Sequence, residues 1–446
     1  MVSIQVLAIM NIETLTTIAV IFAVFVHTFS DAPVLASDVV GERFEVRIED
    51  LPQPFETSSA TNRPIVIERP PQAILRVPAG FEVNAFAEGL RRPRWMAIAA
   101  NGDVFLTERK SDRVIVLRDS DDDGLADVRS VYLSGLHHPH GLAFHNEYLY
   151  IGETTQIRRV SYKMGALKAA GPVETVTAKG SLGDGSGHWT RNMVFGPDGK
   201  HFYVAVGSRS NRDVDPLPRA SVQRFASDGS GQTTFASGLR NPVGIAFYPG
   251  TDDLYVVVNE RDGLGDGLVP DYLTRIQEGG FYGWPFAYLG RHADPKYEGQ
   301  QPSPLERTIE PDLLFEAHSA PIGLVFYDAD QFPAEYLGDA FVAFHGSWNA
   351  SSPTGYKIVR IPFEDGRPSN WYENFAVGFR VEQQSWLDGL TNAKGLKDLA
   401  RWVRSWFGDQ PARVWGRPAG LAIGKDGSLL VADDESGTIW RISYKR

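Results

Sequence analysis

Two histidines in this chain stand where a general base is useful. His188 follows the Gly-rich segment Asp184–Gly187 and precedes an apolar run, and His345 opens the segment His345–Asn349. An imidazole titrates near neutral pH, so such a side chain suits removal of a proton from a hydroxyl group. The alternative for each is a structural histidine that only satisfies hydrogen bonds.

Four arginines occupy comparable positions at the beginning of repeated segments, namely Arg92, Arg191, Arg240 and Arg417. A guanidinium group binds a carboxylate through two parallel hydrogen bonds. If these side chains converge, they predict an anionic ligand such as a polycarboxylate. The alternative is that each arginine pairs with an acidic residue of its own repeat.

An acidic loop predicts a calcium site. Asp119, Asp121, Asp123 and Asp127 alternate around Gly124 in the pattern D-x-D-x-D-G-x-x-D. Carboxylates at this spacing offer hard oxygen ligands on one side of a tight turn. The twelfth position is Ser130 instead of Glu, so the pattern favours a structural calcium in a hairpin tip, with a solvated acidic turn as the alternative. A second Gly- and Asp-rich loop spans 259–267.

These residues must be positioned by strands, because six similar segments recur along the chain. Each has a turn with Pro or Gly, an apolar run, a hairpin tip and a second apolar run, and they begin near residues 92, 138, 188, 241, 320 and 417. Strand repeats of this length are typical of a β-propeller. The sequence therefore predicts an all-β fold, a six-bladed β-propeller, closed by a strand from 72–88.

The flanking segments predict the domain boundaries. Residues 1–36 resemble an export signal, although no Lys or Arg precedes Arg43; a retained anchor is the alternative. Residues 37–71 form a polar lead-in and 72–446 the propeller. Apolar spacing over about 384–408 predicts a helical insertion before the last blade. We expect a periplasmic or secreted protein without a stable membrane span after signal cleavage.

Composition excludes several classes of function. The formal net charge is −11 and no basic stripe is present, which argues against nucleic-acid binding. The chain contains no cysteine, so disulfides, thiolate metal sites, iron–sulfur clusters and covalently attached c-type haem are excluded.

Several longer sequence segments, taken together, are distinctive enough to indicate a protein family. They are Gly187-His188 with 192–199, the segment 238–247, Asn259-Glu260-Arg261-Asp262 and 279–285. In this order they resemble the glucose/sorbosone dehydrogenase family, in its sorbosone and pyranose dehydrogenase branch, over roughly residues 72–444. Members of that family are six-bladed propellers that use pyrroloquinoline quinone (PQQ).

The resemblance implies roles for these residues. His188 is expected to abstract the sugar hydroxyl proton, while hydride passes to the quinone; Asn241 and Arg417 contact the cofactor. Calcium held around Asp262 and Gly263 polarises the quinone. PQQ is a tricarboxylate, which accounts for the converging arginines Arg92, Arg191 and Arg240.

The chain also departs from the family pattern. Ala419 stands where the glucose branch has a second arginine, and the cofactor-binding lysine has no match. The stretch 345–354 takes its place, with Trp348 and His345 as candidates, and His345 is the second candidate for the base. A glutamine of the second blade is also missing, and His138 or His140 replaces it.

The sequence thus predicts a PQQ- and calcium-dependent sugar dehydrogenase that oxidises an aldose C1 hydroxyl or an aldosone hydrate. Its electrons pass to an external acceptor, a quinone or a cytochrome. Two alternatives remain: a calcium-dependent, lactonase-like hydrolase, and a non-catalytic propeller that binds carbohydrate or protein. Cofactor binding distinguishes them, because the fold alone does not assign a function.

Overall fold

Residues 38–300, 305–381 and 411–445 are described by the computed structural model, and their regular structure is almost entirely β-strand. Packing divides the chain into two units, and every described residue belongs to the unit formed by 38–381 and 403–446. The predicted export signal (1–36) and the whole predicted helical insertion (384–408) lie outside the described residues. The helices of the described part are short 3-10 turns: Ile48–Asp50, Arg109–Ser111, Pro295–Tyr297, Leu305–Arg307 and Ala334–Tyr336.

Six sheets follow one another along the described chain, each built on four antiparallel strands. Sheet 1 contains Pro93–Ile98, Val104–Glu108, Arg113–Arg118 and Val128–Ser134. Sheet 2 contains Leu142–His145, Tyr148–Gly152, Ile157–Ser161 and Glu174–Thr175. Sheet 3 contains Met193–Phe195, His201–Val206, Ser221–Ala226 and Thr233–Ser237, with Gly280–Phe281 added in parallel. Sheet 4 contains Asn241–Phe247, Leu254–Asn259, Pro270–Ile276 and Leu313–Ala317. Sheet 5 contains Pro321–Phe326, Ala340–Phe344, Lys357–Ile361 and Tyr372–Ala376, with Arg43–Phe44 at its outer edge. Sheet 6 contains Pro418–Ile423, Leu429–Asp433, Thr438–Tyr444 and Phe81–Ala87.

The second strand of each sheet is mostly apolar and buried because both faces are covered by neighbouring sheets. Between sheets 1 and 2, Phe105 and Val116 pack in one core with Leu149, and all three are fully buried. Phe105 also makes edge-to-face contacts with Tyr132 and Phe144. Replacing such a phenylalanine with alanine costs about 3–5 kcal/mol, since it leaves a cavity in the core.

The six sheets close into a ring. The first strand of each sheet contacts the first strand of the next, and Pro418–Ile423 of sheet 6 contacts Pro93–Ile98 of sheet 1. Phe81–Ala87 completes sheet 6 by antiparallel pairing with Thr438–Tyr444, where Val83 lies opposite Ile442. The predicted closing strand from 72–88 is therefore confirmed, and this arrangement of sheets is that of a β-propeller.

Smaller elements decorate the ring. Ile65–Val66, Arg380–Val381 and Arg413–Val414 form a three-stranded sheet, and two short hairpins pair Ala287–Tyr288 with His292–Ala293 and Phe363–Glu364 with Arg367–Pro368. None of the helices found in the described ranges has the length and apolar character needed to cross a bilayer.

Candidate active site

A cavity of about 460 Å³ opens among the segments that begin the first strands of sheets 1, 3, 4, 5 and 6. This volume lies within the range of about 300–1,000 Å³ found for small-molecule sites. Seven residues predicted from the sequence line it: His188, Arg240, Asn241, Asp262, His345, Trp348 and Arg417. Segments at the head of five of the six repeats therefore meet at one place, and the head near residue 138 does not line the cavity.

The cavity does not include the other predicted residues. Arg92 forms an ion pair with Glu435 and is partly exposed, and Nδ1 of exposed His138 accepts a hydrogen bond from Arg109 at 3.0 Å. Arg191 is fully buried behind the cavity wall, and Gly263 does not line the cavity. Asp119, Asp121, Asp123 and Asp127 lie in the connection between two strands of sheet 1, also away from the cavity.

The loop that carries His188 is held by two arginines. Arg191 donates to the carbonyl oxygens of His188 and Thr190, at 2.9 and 2.6 Å, and to that of Leu182. Arg219 donates to the carbonyl of Ser186. Arg191 thus donates its hydrogen bonds to main-chain oxygens. It holds the loop in place and is not positioned as the predicted cofactor ligand.

Glycine is required immediately before His188. Gly187 has φ +64°, and a Cβ atom there would lie 2.2 Å from the carbonyl oxygen of Arg209. Any other residue would push the two segments apart, because real Cβ atoms do not approach an oxygen so closely.

His188 presents one nitrogen to the protein and leaves the other available. Its Nδ1 lies 2.9 Å from the carbonyl oxygen and 3.0 Å from Oγ of Ser208, so Nδ1 carries the proton and donates. Within the described residues Nε2 has no hydrogen-bond partner. Burial, and then the positive charge of Arg240, lower the pKa of His188 to about 3, which keeps the imidazole neutral.

His345 is held in a different way. Its Nε2 lies 3.0 Å from Oδ1 of Asp434 and 3.2 Å from a guanidinium nitrogen of Arg94, which donates to Oδ2 of the same carboxylate at 2.5 Å. Burial and the charge of Arg417 lower the pKa of His345 to about 3. Burial raises the pKa of Asp434, but the Arg94 guanidinium and the hydrogen bond with Nε2 of His345 outweigh it and hold that pKa well below its usual range.

Three guanidinium groups line the cavity. Arg94 is balanced by Asp434, whereas Arg417 donates to the carbonyl oxygens of His345 and Gly346, at 2.9 and 2.7 Å. Arg240 donates to the carbonyl of Glu260 at 2.6 Å, and its nearest carboxylate oxygen, on Asp262, is 3.6 Å away. Main-chain carbonyls satisfy the donors without cancelling the charge, so this part of the cavity suits an anion.

The same cavity contains three buried titratable residues that were not candidate site residues in the sequence analysis. Glu260, Asp271 and His318 line it and are 4%, 3% and 8% exposed. Burial raises the pKa of Glu260 to about 7 and that of Asp271 to about 6. His318 lies two residues before the predicted repeat head at Ala320, Asp271 lies four residues after the loop 259–267, and Glu260 lies within that loop. These positions are the signal that was available.

Asp262 does not fit a calcium ion in this structure. Its carbonyl oxygen accepts from Asn211 at 3.0 Å and from two nitrogens of Arg261 at 3.0 and 3.2 Å. Its Oδ1 accepts from Asn349 at 2.7 Å. A cation needs oxygen lone pairs that no N–H group occupies, so these contacts would have to be displaced.

The acidic loop of sheet 1 does bring carboxylates together. One ligand oxygen from each of Asp119, Asp121 and Asp123 lies within 4.8 Å of the others. Asp119 also accepts from the amide nitrogens of Asp123 and Gly124, at 3.2 and 2.7 Å, and Asp127 accepts from that of Ser120 at 3.0 Å. The carboxylates are largely exposed, as in an ordinary acidic turn.

Fold and cavity together define a β-propeller with a cavity that is lined by three arginines and has the size of a small-molecule site. The Glucose / Sorbosone dehydrogenase family model matches residues 90–347, more than half of the chain, and a TrAA12-like model matches 293–445. The chain belongs to the glucose/sorbosone dehydrogenase family, as its motifs predict.

Individual relatives are distant. An uncharacterized protein of Borreliella burgdorferi is 26% identical over 385 residues, which covers 83% of this chain and 91% of that protein. The pyrroloquinoline quinone-dependent pyranose dehydrogenase of Coprinopsis cinerea is also 26% identical, over 427 residues, covering 83% of this chain. This chain spans 55% of the length of that enzyme.

Solved structures show the same fold. The holo form of the pyranose dehydrogenase PQQ domain from Coprinopsis cinerea has a TM-score of 0.66 at 20% identity and covers 86% of this chain and 100% of that domain. The calcium structure of the Trichoderma reesei family AA12 protein has a TM-score of 0.67 at 18% identity and covers 84% of this chain and 98% of its own.

Proposed function

We propose that this protein is a PQQ-dependent sugar dehydrogenase and that its six sheets are the six blades of the propeller. The observation that carries the proposal is the placement of His188, with a free Nε2, in the same cavity as Arg94, Arg240 and Arg417. A base beside an anion-binding wall is what oxidation of a hydroxyl by a bound carboxylated quinone requires.

The donor set fits PQQ in its charge. The donors of Arg240 and Arg417 bind carbonyl oxygens, and the carboxylate nearest to Arg240, that of Asp262, is 3.6 Å away. Asn241 and Trp348 complete this side of the cavity. Nε of Arg94 and Oδ1 of Asn241 are buried without a hydrogen-bond partner. When bound, PQQ supplies a two-electron acceptor for hydride from the substrate carbon.

The residues of the chain supply the proton chemistry. Nδ1 of His188 donates to Ser208, which fixes the tautomer and leaves the lone pair on Nε2 to accept the proton of a C1 hydroxyl or of an aldosone hydrate. The low pKa of His188 keeps that lone pair free at neutral pH. Arg191 and Arg219 hold the loop so that the imidazole stays in place.

Reconstitution tests the proposal. The purified protein, mixed with PQQ and then with an aldose, should bleach a redox dye that stands in for a quinone or cytochrome acceptor. The matched variant is Arg417→Gln, which removes a positive charge from the cavity wall and should weaken PQQ binding at least ~10-fold. Failure of the unaltered protein to bind PQQ, measured by its absorption spectrum, would refute the proposal.

Calcium is proposed at the loop 119–127 and not at Asp262. Its role there would be structural, because the loop lies away from the cavity. Removal of calcium by a chelator should lower the melting temperature, and Asp121→Asn should abolish this response. An unchanged melting temperature would mean that the loop is a solvated acidic turn without bound calcium.

For localisation we propose that residues 1–36 direct export of the protein. N-terminal sequencing of the mature protein tests this proposal.

A further inference from the structure

We infer that Glu260 and His318, positioned by Asp271, form a subsite that binds neighbouring hydroxyl groups of a neutral polyhydroxylated ligand in the cavity. The inference rests on the proposed function only in identifying that ligand as the sugar substrate. None of these three residues has a part in the proton transfer described above.

The three residues lie at the same end of three neighbouring strands of sheet 4. Glu260 follows the strand Leu254–Asn259, Asp271 lies at the start of Pro270–Ile276, and His318 follows Leu313–Ala317. These strands are neighbours and run antiparallel, with Pro270 opposite Ala317 and Val258 opposite Tyr272. The three residues at these strand ends therefore line one part of the cavity wall.

Asp271 locks the two flanking segments in place. Its Oδ1 accepts from the amide nitrogen of Glu260 and its Oδ2 from that of Ala320, both at 2.8 Å. Both carboxylate oxygens thus serve the main chain. Asp271 is a positioning residue that fixes Glu260 relative to the segment that carries His318.

His318 has one nitrogen committed and one free. Nδ2 of Asn349 lies 2.7 Å from Oδ1 of Asp262 and 3.1 Å from Nδ1 of His318. Burial lowers the pKa of His318, but the carboxylate of Asp262, whose Oδ1 lies 3.6 Å from Nδ1, outweighs it and raises the pKa. In the imidazolium both nitrogens carry a proton, and in the neutral ring the NH₂ group of Asn349, which faces Nδ1, leaves the proton on Nε2. Nε2 is buried and has no hydrogen-bond partner among the described residues, so a donor is left without an acceptor.

Glu260 supplies the complementary acceptor. Its Oε2 accepts from the amide nitrogen of Arg261 at 3.0 Å, and no described residue donates to Oε1. A hydroxyl group both donates and accepts, so a pair of adjacent hydroxyls matches one N–H donor and one carboxyl oxygen. A second anion is disfavoured beside Glu260 and Asp271. A metal ion is disfavoured too, since both carboxylate oxygens of Asp271 already accept main-chain N–H groups.

The test uses 1,5-anhydro-D-glucitol and 1,5-anhydro-D-mannitol, pyranoses that lack the C1 hydroxyl and so are not oxidised. Calorimetric titration of the full-length, PQQ-loaded protein should show saturable binding. Glu260→Met and His318→Asn should each weaken it at least ~10-fold, the effect expected for losing a hydrogen bond to a charged or buried group. His318→Gln, whose amide reaches the position of Nε2, should restore most of the affinity.

Exposed residues outside the cavity provide the controls. His292→Gln and Glu278→Gln should bind like the unaltered protein, and the melting temperature of each variant reports its folding. Affinities of Glu260→Met and His318→Asn within twofold of the unaltered protein, or no binding of either anhydro sugar, would overturn the subsite. Sugar binding without PQQ binding would instead refute the dehydrogenase and retain the subsite.

Discussion

His188 and His345 lie in the same cavity and have equally low pKa values, near 3, yet the protein holds them in different ways. His188 turns Nδ1 to a carbonyl and leaves Nε2 free. His345 directs Nε2 at Asp434, in a cluster that also contains Arg94. A low pKa therefore does not identify a base by itself; the hydrogen bond that each nitrogen makes decides whether a lone pair is available to a substrate.

The largest expected effect comes from removing the free imidazole. His188→Ala should lower the rate of sugar-dependent PQQ reduction by about 10²–10⁴, the usual contribution of a general base, with little change in PQQ affinity. The measurement is a stopped-flow single turnover. His345→Gln is the matched variant and should lose less than tenfold of the rate. Equal losses would mean that the free Nε2 does not distinguish the two histidines.

Next in size is the effect of breaking the His345 cluster. Asp434→Asn leaves Arg94 buried without its counter-charge, which should destabilise the protein by about 3 kcal/mol in urea unfolding. The control is Asp426→Asn, which breaks a more exposed pair with Arg441 and should cost about 1 kcal/mol or less. A comparable loss from the two variants would show that Asp434 is not a structural counter-ion.

The pH dependence of stability separates the histidines from the acidic group. His188 and His345 bind protons near pH 6.5 when unfolded and near pH 3 when folded, so their contribution falls as pH falls below 6.5. Glu260 and Asp271 have raised pKa values, near 7 and 6, so their contribution is lost as pH rises from about 4 to 7. The two regions thus act in opposite directions.

Substitution of one histidine tests this opposition. His188→Gln removes one group with a lowered pKa, so its stability relative to the unaltered protein should increase as pH falls from 6.5 to 4.5. The slope should approach about 1.4 kcal/mol per pH unit, measured from urea midpoints. A difference that does not vary with pH would mean that His188 titrates normally.

The smallest effect is expected at the partner of His188. Ser208→Ala removes Oγ, 3.0 Å from Nδ1, and leaves the main-chain carbonyl at 2.9 Å to accept the same proton. The single-turnover rate should fall no more than about fivefold, equivalent to one neutral hydrogen bond. A loss as large as that of His188→Ala would show that the hydroxyl, and not the carbonyl, sets the tautomer.

Much of the ring was predictable because its signals are local. The apolar runs and turns gave the strands, and Phe81–Val83 was identified as part of the closing strand from its alternation alone. His188, Arg240, Asn241 and Arg417 were placed at repeat heads, which the fold brings together at the cavity.

The rest of the site depends on contacts that no local pattern reveals. Arg94 lies inside the strand Pro93–Ile98 and reads as part of an apolar run, so its pairing with Asp434 could not be foreseen. Arg191 stands at a repeat head like Arg240, but its donors turn back to carbonyls of its own loop. Side-chain direction, which separates these two arginines, is not encoded in spacing.

Closure of sheet 6 has a consequence for biosynthesis. Phe81–Ala87 pairs with Thr438–Tyr444, more than 350 residues later, and Arg94 meets Asp434, 340 residues later, where sheet 6 adjoins sheet 1. Contacts so distant in sequence form late, since the intervening chain must first be ordered. The ribosome therefore has to finish almost the whole polypeptide before the cavity exists, so a ligand that needs its complete wall binds after translation.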